Sequence, residues 1–137
     1  MRPLLLHGFA GDPRVWDGFE GEAIAMPGHG APLAGSWQAS LDALDTRGAA
    51  LAIGYSFGAR VALGLLADRR IERAILIGVN PGISDDERPA RRAADARWAQ
   101  LLRERGIEAF LAAWEAQPLF MTQQRVPEGV AARRAWR

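Results

Sequence analysis

The sequence predicts an α/β fold, a parallel sheet with flanking helices, and three observations carry that reading. Over residues 3–77 short apolar runs alternate with helical patterns. Alternation with short loops gives parallel strands joined by crossover helices. One apolar run, Leu51-Ala52-Ile53, leads into Gly54-Tyr55-Ser56-Phe57-Gly58, and a helical pattern of small residues starts at once. After Gly82 the strand pattern stops and three helical patterns follow in series.

Residues 3–7 are a compact apolar run ended by Gly8, which reads as a buried strand. The glycine-bearing loop His7-Gly8-Phe9-Ala10-Gly11-Asp12 follows, and Val15, Trp16 and Phe19 mark a short turn or helix. Residues 22–26 read as a second strand, stopped by the turn Pro27-Gly28-His29-Gly30. In residues 36–46, Trp37, Leu41 and Leu44 fall at helical spacing, with Ser36 placed to cap. A third strand is expected over 49–53 and a helix over 59–68, whose small residues suit close packing on a sheet. Ile71 and residues 74–77 mark a fourth strand.

Beyond it Ser84 is the expected cap of an Arg- and Ala-rich helix running to about Arg105, where Gly106 breaks it. Residues 107–116 form another helical pattern with Phe110, Leu111 and Trp114 on one side, ended by Pro118. Residues 128–136 read as helical again. Residues 1–82 are thus expected to form the core and 83–137 a helical cap over the sheet.

Composition narrows the chemistry. A chain of 137 residues with 49% hydrophobic content suffices for an ordinary core. The formal net charge of +1 argues for neither nucleic acid nor a membrane surface as partner. There is no cysteine, which excludes disulfides, thiolate catalysis and cysteine-based metal sites. With two histidines a His-rich metal site is not expected either. The apolar start is too short for a signal peptide or a membrane helix, so a cytoplasmic protein is the expectation. Charge is unevenly spread: four arginines face seven acids through Asp68, and thirteen face nine from Arg69 onward. Every basic residue is arginine, a usage that a GC-rich coding sequence also produces. Arginine grips carboxylates bidentately, so the second half could hold an anionic ligand.

The chemistry centres on Ser56. A Gly-x-Ser-x-Gly between a strand and a helix is the context of a nucleophile elbow. The turn forces the serine into a strained backbone conformation, and residues two before and two after it must be small. Gly54 and Gly58 meet that need. Ser56 would stand at the carboxyl end of its strand, with the first amides of the next helix pointing at it.

The ordered segments His7-Gly8-Phe9, Pro27-Gly28-His29-Gly30 and Gly54-Tyr55-Ser56-Phe57-Gly58 resemble the signature of α/β-hydrolases. Gly54 through Arg60, Asn80-Pro81-Gly82-Ile83, residues 95–100 and residues 114–120 are similar, more narrowly, to the menaquinone-pathway family of 2-succinyl-6-hydroxy-2,4-cyclohexadiene-1-carboxylate synthases. The likeness runs over essentially the whole chain.

It implies a cofactor-independent lyase on a hydrolase scaffold, which takes a proton from a cyclohexene polycarboxylate and expels pyruvate. The family works through a Ser-His-Asp triad, and Ser56 holds the serine position. The resemblance puts the oxyanion hole at the backbone amides of Phe9 and Phe57. It places carboxylate-binding arginines at Arg60, Arg91 and Arg134 (or Arg133, one residue away), with Tyr55 and Trp114 lining the pocket. Trp98 is read as structural. The expected partner is therefore a small anionic molecule.

The chain also departs from the family pattern. There the acid and the histidine follow the serine, whereas His7 and His29 both precede Ser56. No acid sits at the place of the triad aspartate. The resemblance further implies closing strands beyond those present, so the fourth strand is expected to be an open edge through which the chain could self-associate. Three functions remain open at this point: the lyase or an incomplete form of it, a general serine esterase, and a non-catalytic binding module on the same scaffold.

Overall fold

In the computed structural model, which describes residues 2–135, one unit reaches to Pro81 and a second spans Gly82–Ala135. The first contains, in chain order, β1 (Leu4–Leu6), β2 (Glu22–Ile24), β3 (Met26–Pro27), β4 (Gly30–Ala31), α1 (Trp37–Asp42), β5 (Leu51–Tyr55), α2 (Phe57–Ala67) and β6 (Arg73–Ile77). Four of the strands form one sheet in the order β2-β1-β5-β6, every pair parallel. Leu6 lies opposite Ile24 on one side and Gly54 on the other, and Gly54 in turn faces Leu76. The carboxyl ends of β1 and β5 are thereby level.

The second predicted strand divides. Pro27 has no N–H to extend a ladder, and the chain folds back on itself there: the His29 amide donates to the Met26 carbonyl at 2.8 Å and the Gly28 amide to Ala31 at 2.9 Å. Met26 and Pro27 pair with Gly30 and Ala31 in a separate two-stranded element. The third strand lies two residues later than expected, because Gly54 and Tyr55 still pair with Leu76 and Ile77. The following helix starts two residues earlier, at Phe57, so Ser56 alone separates strand from helix. Ser36 caps α1 as expected, its hydroxyl accepting from the Ala39 amide at 3.1 Å. The Arg70 guanidinium donates to the carbonyls of Leu41, in the last turn of α1, and Leu44, just beyond it, where the chain leaves the helix.

The core lies on one face of the sheet. Leu4, Leu6, Ala52, Leu41, Val61, Ala62 and Leu65 are buried together there with Ile24, Met26 and Ile71. Small side chains on α2 let its axis approach the strands closely. Burial fades toward β6, where Ile75, Leu76 and Ile77 are exposed. Among the described residues β6 pairs only with β5, so it is an edge of this sheet.

The second unit contains α3 (Arg88–Glu115), 3₁₀ turns at Pro118–Phe120 and Gln123–Arg125, and α4 (Pro127–Ala135). The break at Gly106 is where the sequence puts it: φ 79°, ψ 177° lies outside the helical region and is readily taken by glycine. Ser84 does not cap α3, which corrects the expectation. Its hydroxyl and amide both bond the Glu87 carboxylate, at 2.6 and 3.1 Å, closing a turn before the helix begins. Those bonds hold the Glu87 carboxyl below its usual range. Trp98, Phe110, Trp114 and Phe120 pack as one aromatic cluster, with ring centroids 5.1 Å apart for Trp98 and Trp114. Proline at the first position of α4 suits its start, one residue before the predicted one; the predicted last residue, Trp136, lies outside the described residues. Among those residues no helix is long and apolar enough to cross a membrane.

Candidate active site around Ser56

Ser56 has φ 53° and ψ −109°, a conformation that L-residues rarely adopt. The sequence produces it by leaving no room for anything but glycine on either side. A β-carbon on Gly54 would lie 2.4 Å from the Gly58 carbonyl oxygen. One on Gly58 would lie 2.2 Å from the Leu6 oxygen and 2.6 Å from that of His7, against the end of β1. The first turn of α2 is thus pressed onto β1, and the chain must reverse within the single residue Ser56. The Ser56 amide donates to the Ile77 carbonyl at 2.8 Å, tying the turn to β6.

The Ser56 hydroxyl makes no capping bond to α2, although the residue stands at the N-cap. The first two amides of the helix, those of Phe57 and Gly58, lack intrahelical acceptors, whereas those of Ala59 and Arg60 bond the Ser56 carbonyl. The first two add a positive dipole end beside the half-buried hydroxyl. This is an arrangement suited to a developing negative charge near Ser56.

The loop after β1 adjoins this turn. A β-carbon on Gly8 would sit 3.5 Å from the Ser56 Cβ and 3.0 Å from the Tyr55 ring. The Gly11 amide closes the loop on the Gly8 carbonyl at 3.0 Å, and Ala10 is held at φ 54°. Phe9 therefore follows directly on the glycine that touches Ser56.

Both histidines belong to this loop's support. His7 is fully buried, and its Nδ1 donates to the Gly8 carbonyl at 2.9 Å. Its Nε2 has no hydrogen-bond partner among the described residues. Burial holds its pKa below the ordinary histidine value, outweighing the opposing bond to Gly8. His29 uses both ring nitrogens: Nδ1 donates to the Pro27 carbonyl at 3.0 Å, and Nε2 accepts from the Ala10 amide at 2.9 Å. Its ring centroid lies 5.3 Å from that of Phe9 and 5.6 Å from that of Phe57. In the sequence the segment Pro27-Gly28-His29-Gly30 marks His29 as a turn residue but does not give the direction of its ring.

The other expected site residues divide between the units. Tyr55 and Arg60 lie in the first, at the end of β5 and one turn into α2, and both are exposed. Arg91 and Trp114 lie in the second. Arg91 is exposed and bonds the Asp95 carboxylate one turn on, at 2.9 Å. Trp114 is half-buried in the aromatic cluster. Arg134 falls in α4, and its side chain, like that of Arg133, lies outside the described residues.

With this geometry the chain can be compared with known proteins. The model of the alpha/beta hydrolase family matches residues 4–137. A 2-succinyl-6-hydroxy-2,4-cyclohexadiene-1-carboxylate synthase from Klebsiella pneumoniae is 34% identical, over 85% of this chain and 54% of its own length. One of the same name from an Enterobacter species is 31% identical over 88% of this chain and 54% of its own. The solved structure of MenH from S. aureus superposes with a TM-score of 0.81 at 30% identity, covering 94% of this chain and 57% of that one. The chain spans about half the length of the relatives it matches. Fold, elbow and family model agree, and the chain belongs to the alpha/beta hydrolase family.

Proposed function

We propose that this chain carries the serine half of a menaquinone-pathway lyase, which eliminates pyruvate from a cyclohexene polycarboxylate without a cofactor. The observation that carries the reading is the Ser56 turn: a strained serine with an uncommitted hydroxyl beside the first amides of α2. The name borne by the matched relatives, a synthase rather than an esterase, favours elimination over ester hydrolysis. In that reaction a base removes a ring proton, whose electron pair becomes the new ring double bond. The carbon–oxygen bond to the departing pyruvate enolate breaks, and the enolate is then protonated to pyruvate. Ser56 would relay the proton, while the Phe9 and Phe57 amides would meet the negative charge that builds up on oxygen. Arg60, Arg91 and Arg134 would hold the carboxylates, with Tyr55 and Trp114 against the ring.

A histidine must activate Ser56 in this reading. His29 has both nitrogens committed, and His7 is buried with Nδ1 held by Gly8. The base is therefore assigned to polypeptide outside these 137 residues. The test follows pyruvate release from the cyclohexene substrate, coupled to NADH oxidation by lactate dehydrogenase. The chain would be assayed alone and with the C-terminal part of the Klebsiella relative that lies beyond the match. Turnover is expected only in the second case and only with Ser56 intact. Fast p-nitrophenyl acetate turnover through a trapped acyl-Ser56, without pyruvate, would instead make the protein an esterase. Substrate binding unaffected by Ser56→Ala, with no turnover of either compound, would make it a binding module.

A further inference from the structure

We infer that His29 is a positioning residue: its neutral Nε2 holds the Phe9-Ala10 segment beside Ser56. The inference rests on the proposed role of the Phe9 amide and adds what keeps it in place. The Pro27 carbonyl can only accept, so the proton of the neutral ring is on Nδ1 and the Nε2 lone pair receives the Ala10 amide. Ala10 needs such a tether, since at φ 54° an alanine backbone is in an unfavourable region and would relax if freed.

The anchor itself is rigid. His29 sits in the Met26–Ala31 turn, where its own amide and that of Gly28 are both bonded within the turn. Its ring also contacts both side chains whose amides are assigned to the oxyanion hole, Phe9 edge-on at 79° and Phe57 tilted at 36°. One side chain thus couples the loop after β1 to the start of α2.

The experiment uses the ¹⁵N-labelled chain and reads the bond directly. At neutral pH a through-hydrogen-bond coupling between the Ala10 amide nitrogen and His29 Nε2 is expected, with the Nδ1–H tautomer. His29→Phe, which keeps a flat ring but no acceptor, should speed Ala10 amide exchange about tenfold, the equivalent of one net hydrogen bond. His29→Gln, which restores an acceptor, should recover part of that protection. A missing coupling at neutral pH, or Ala10 protection unchanged in a folded His29→Phe, would overturn the inference. If His29→Phe does not fold, the wild-type coupling decides alone: its absence at neutral pH rejects the assignment. None of these readouts needs turnover. A loop tethered as stated, in a protein that releases no pyruvate when completed, would uphold the tether and reject the lyase.

Discussion

Ser56 combines a positive φ with a β-carbon, and the two glycines around it make that combination unavoidable. Replacing the side chain separates strain from chemistry. Ser56→Gly should be more stable than Ser56→Ala by about 1 kcal/mol in urea unfolding, because glycine takes φ 53° without the penalty that alanine keeps. Gly58→Ala should cost about 3 kcal/mol or more in the same measurement, since the new methyl meets backbone oxygens that cannot rotate away. His7 makes a pH prediction. Burial lowers its pKa in the folded chain, so the unfolded chain takes up a proton first as pH falls below 6.5. The stability is whole above that value and declines as pH drops toward the folded pKa. The urea midpoint should therefore fall between pH 7.5 and 5.5, and fall less in His7→Asn.

Among the elements, β5, α2 and β1 set the site and β6 sets a liability. β5 ends level with β1, and α2 starts one residue later, so the only chain between them is the serine. β6 leaves Ile75 and Ile77 open on one face and its outer backbone unpaired among the described residues. An exposed apolar edge of this kind pairs with other chains. We expect concentration-dependent self-association by sedimentation velocity, and Ile75→Lys with Ile77→Lys should reduce it. The boundaries of these elements were only partly legible in the sequence. Alternation located the four strands of the main sheet, but hydrogen bonding to neighbours decided that β5 extends to Tyr55 and that residues 22–27 serve two sheets. Ser84 shows the same limit: it looks like a helix cap, yet the nearby Glu87 carboxylate takes both its hydroxyl and its amide.

Across the whole molecule, charge is spread unevenly along the chain. The first 68 residues carry a net −3 and the remainder +4, all of the positive charge from arginine. If the ligand is the polycarboxylate proposed above, its affinity should fall as salt rises. Arg60→Ala should weaken that binding about tenfold by calorimetry, the worth of one charge-assisted hydrogen bond. Arg91→Ala would have a smaller effect if its bond to Asp95 persists in the complex.

The sequence by itself determined the parallel α/β plan, the elbow at Ser56, the break at Gly106 and the family. These depend on local rules: apolar period, glycine where a β-carbon cannot fit, and residues adjacent in the chain. Tertiary structure alone decided what the histidines do. Whether an imidazole is a base, a buried support or a tether depends on which atoms its two nitrogens meet, and here those are Gly8, Pro27 and Ala10. The Ala10 amide lies nineteen residues from His29 along the chain. No spacing rule predicts a hydrogen bond between them; it exists because the loop after β1 and the turn after β2 are brought together by parallel strands.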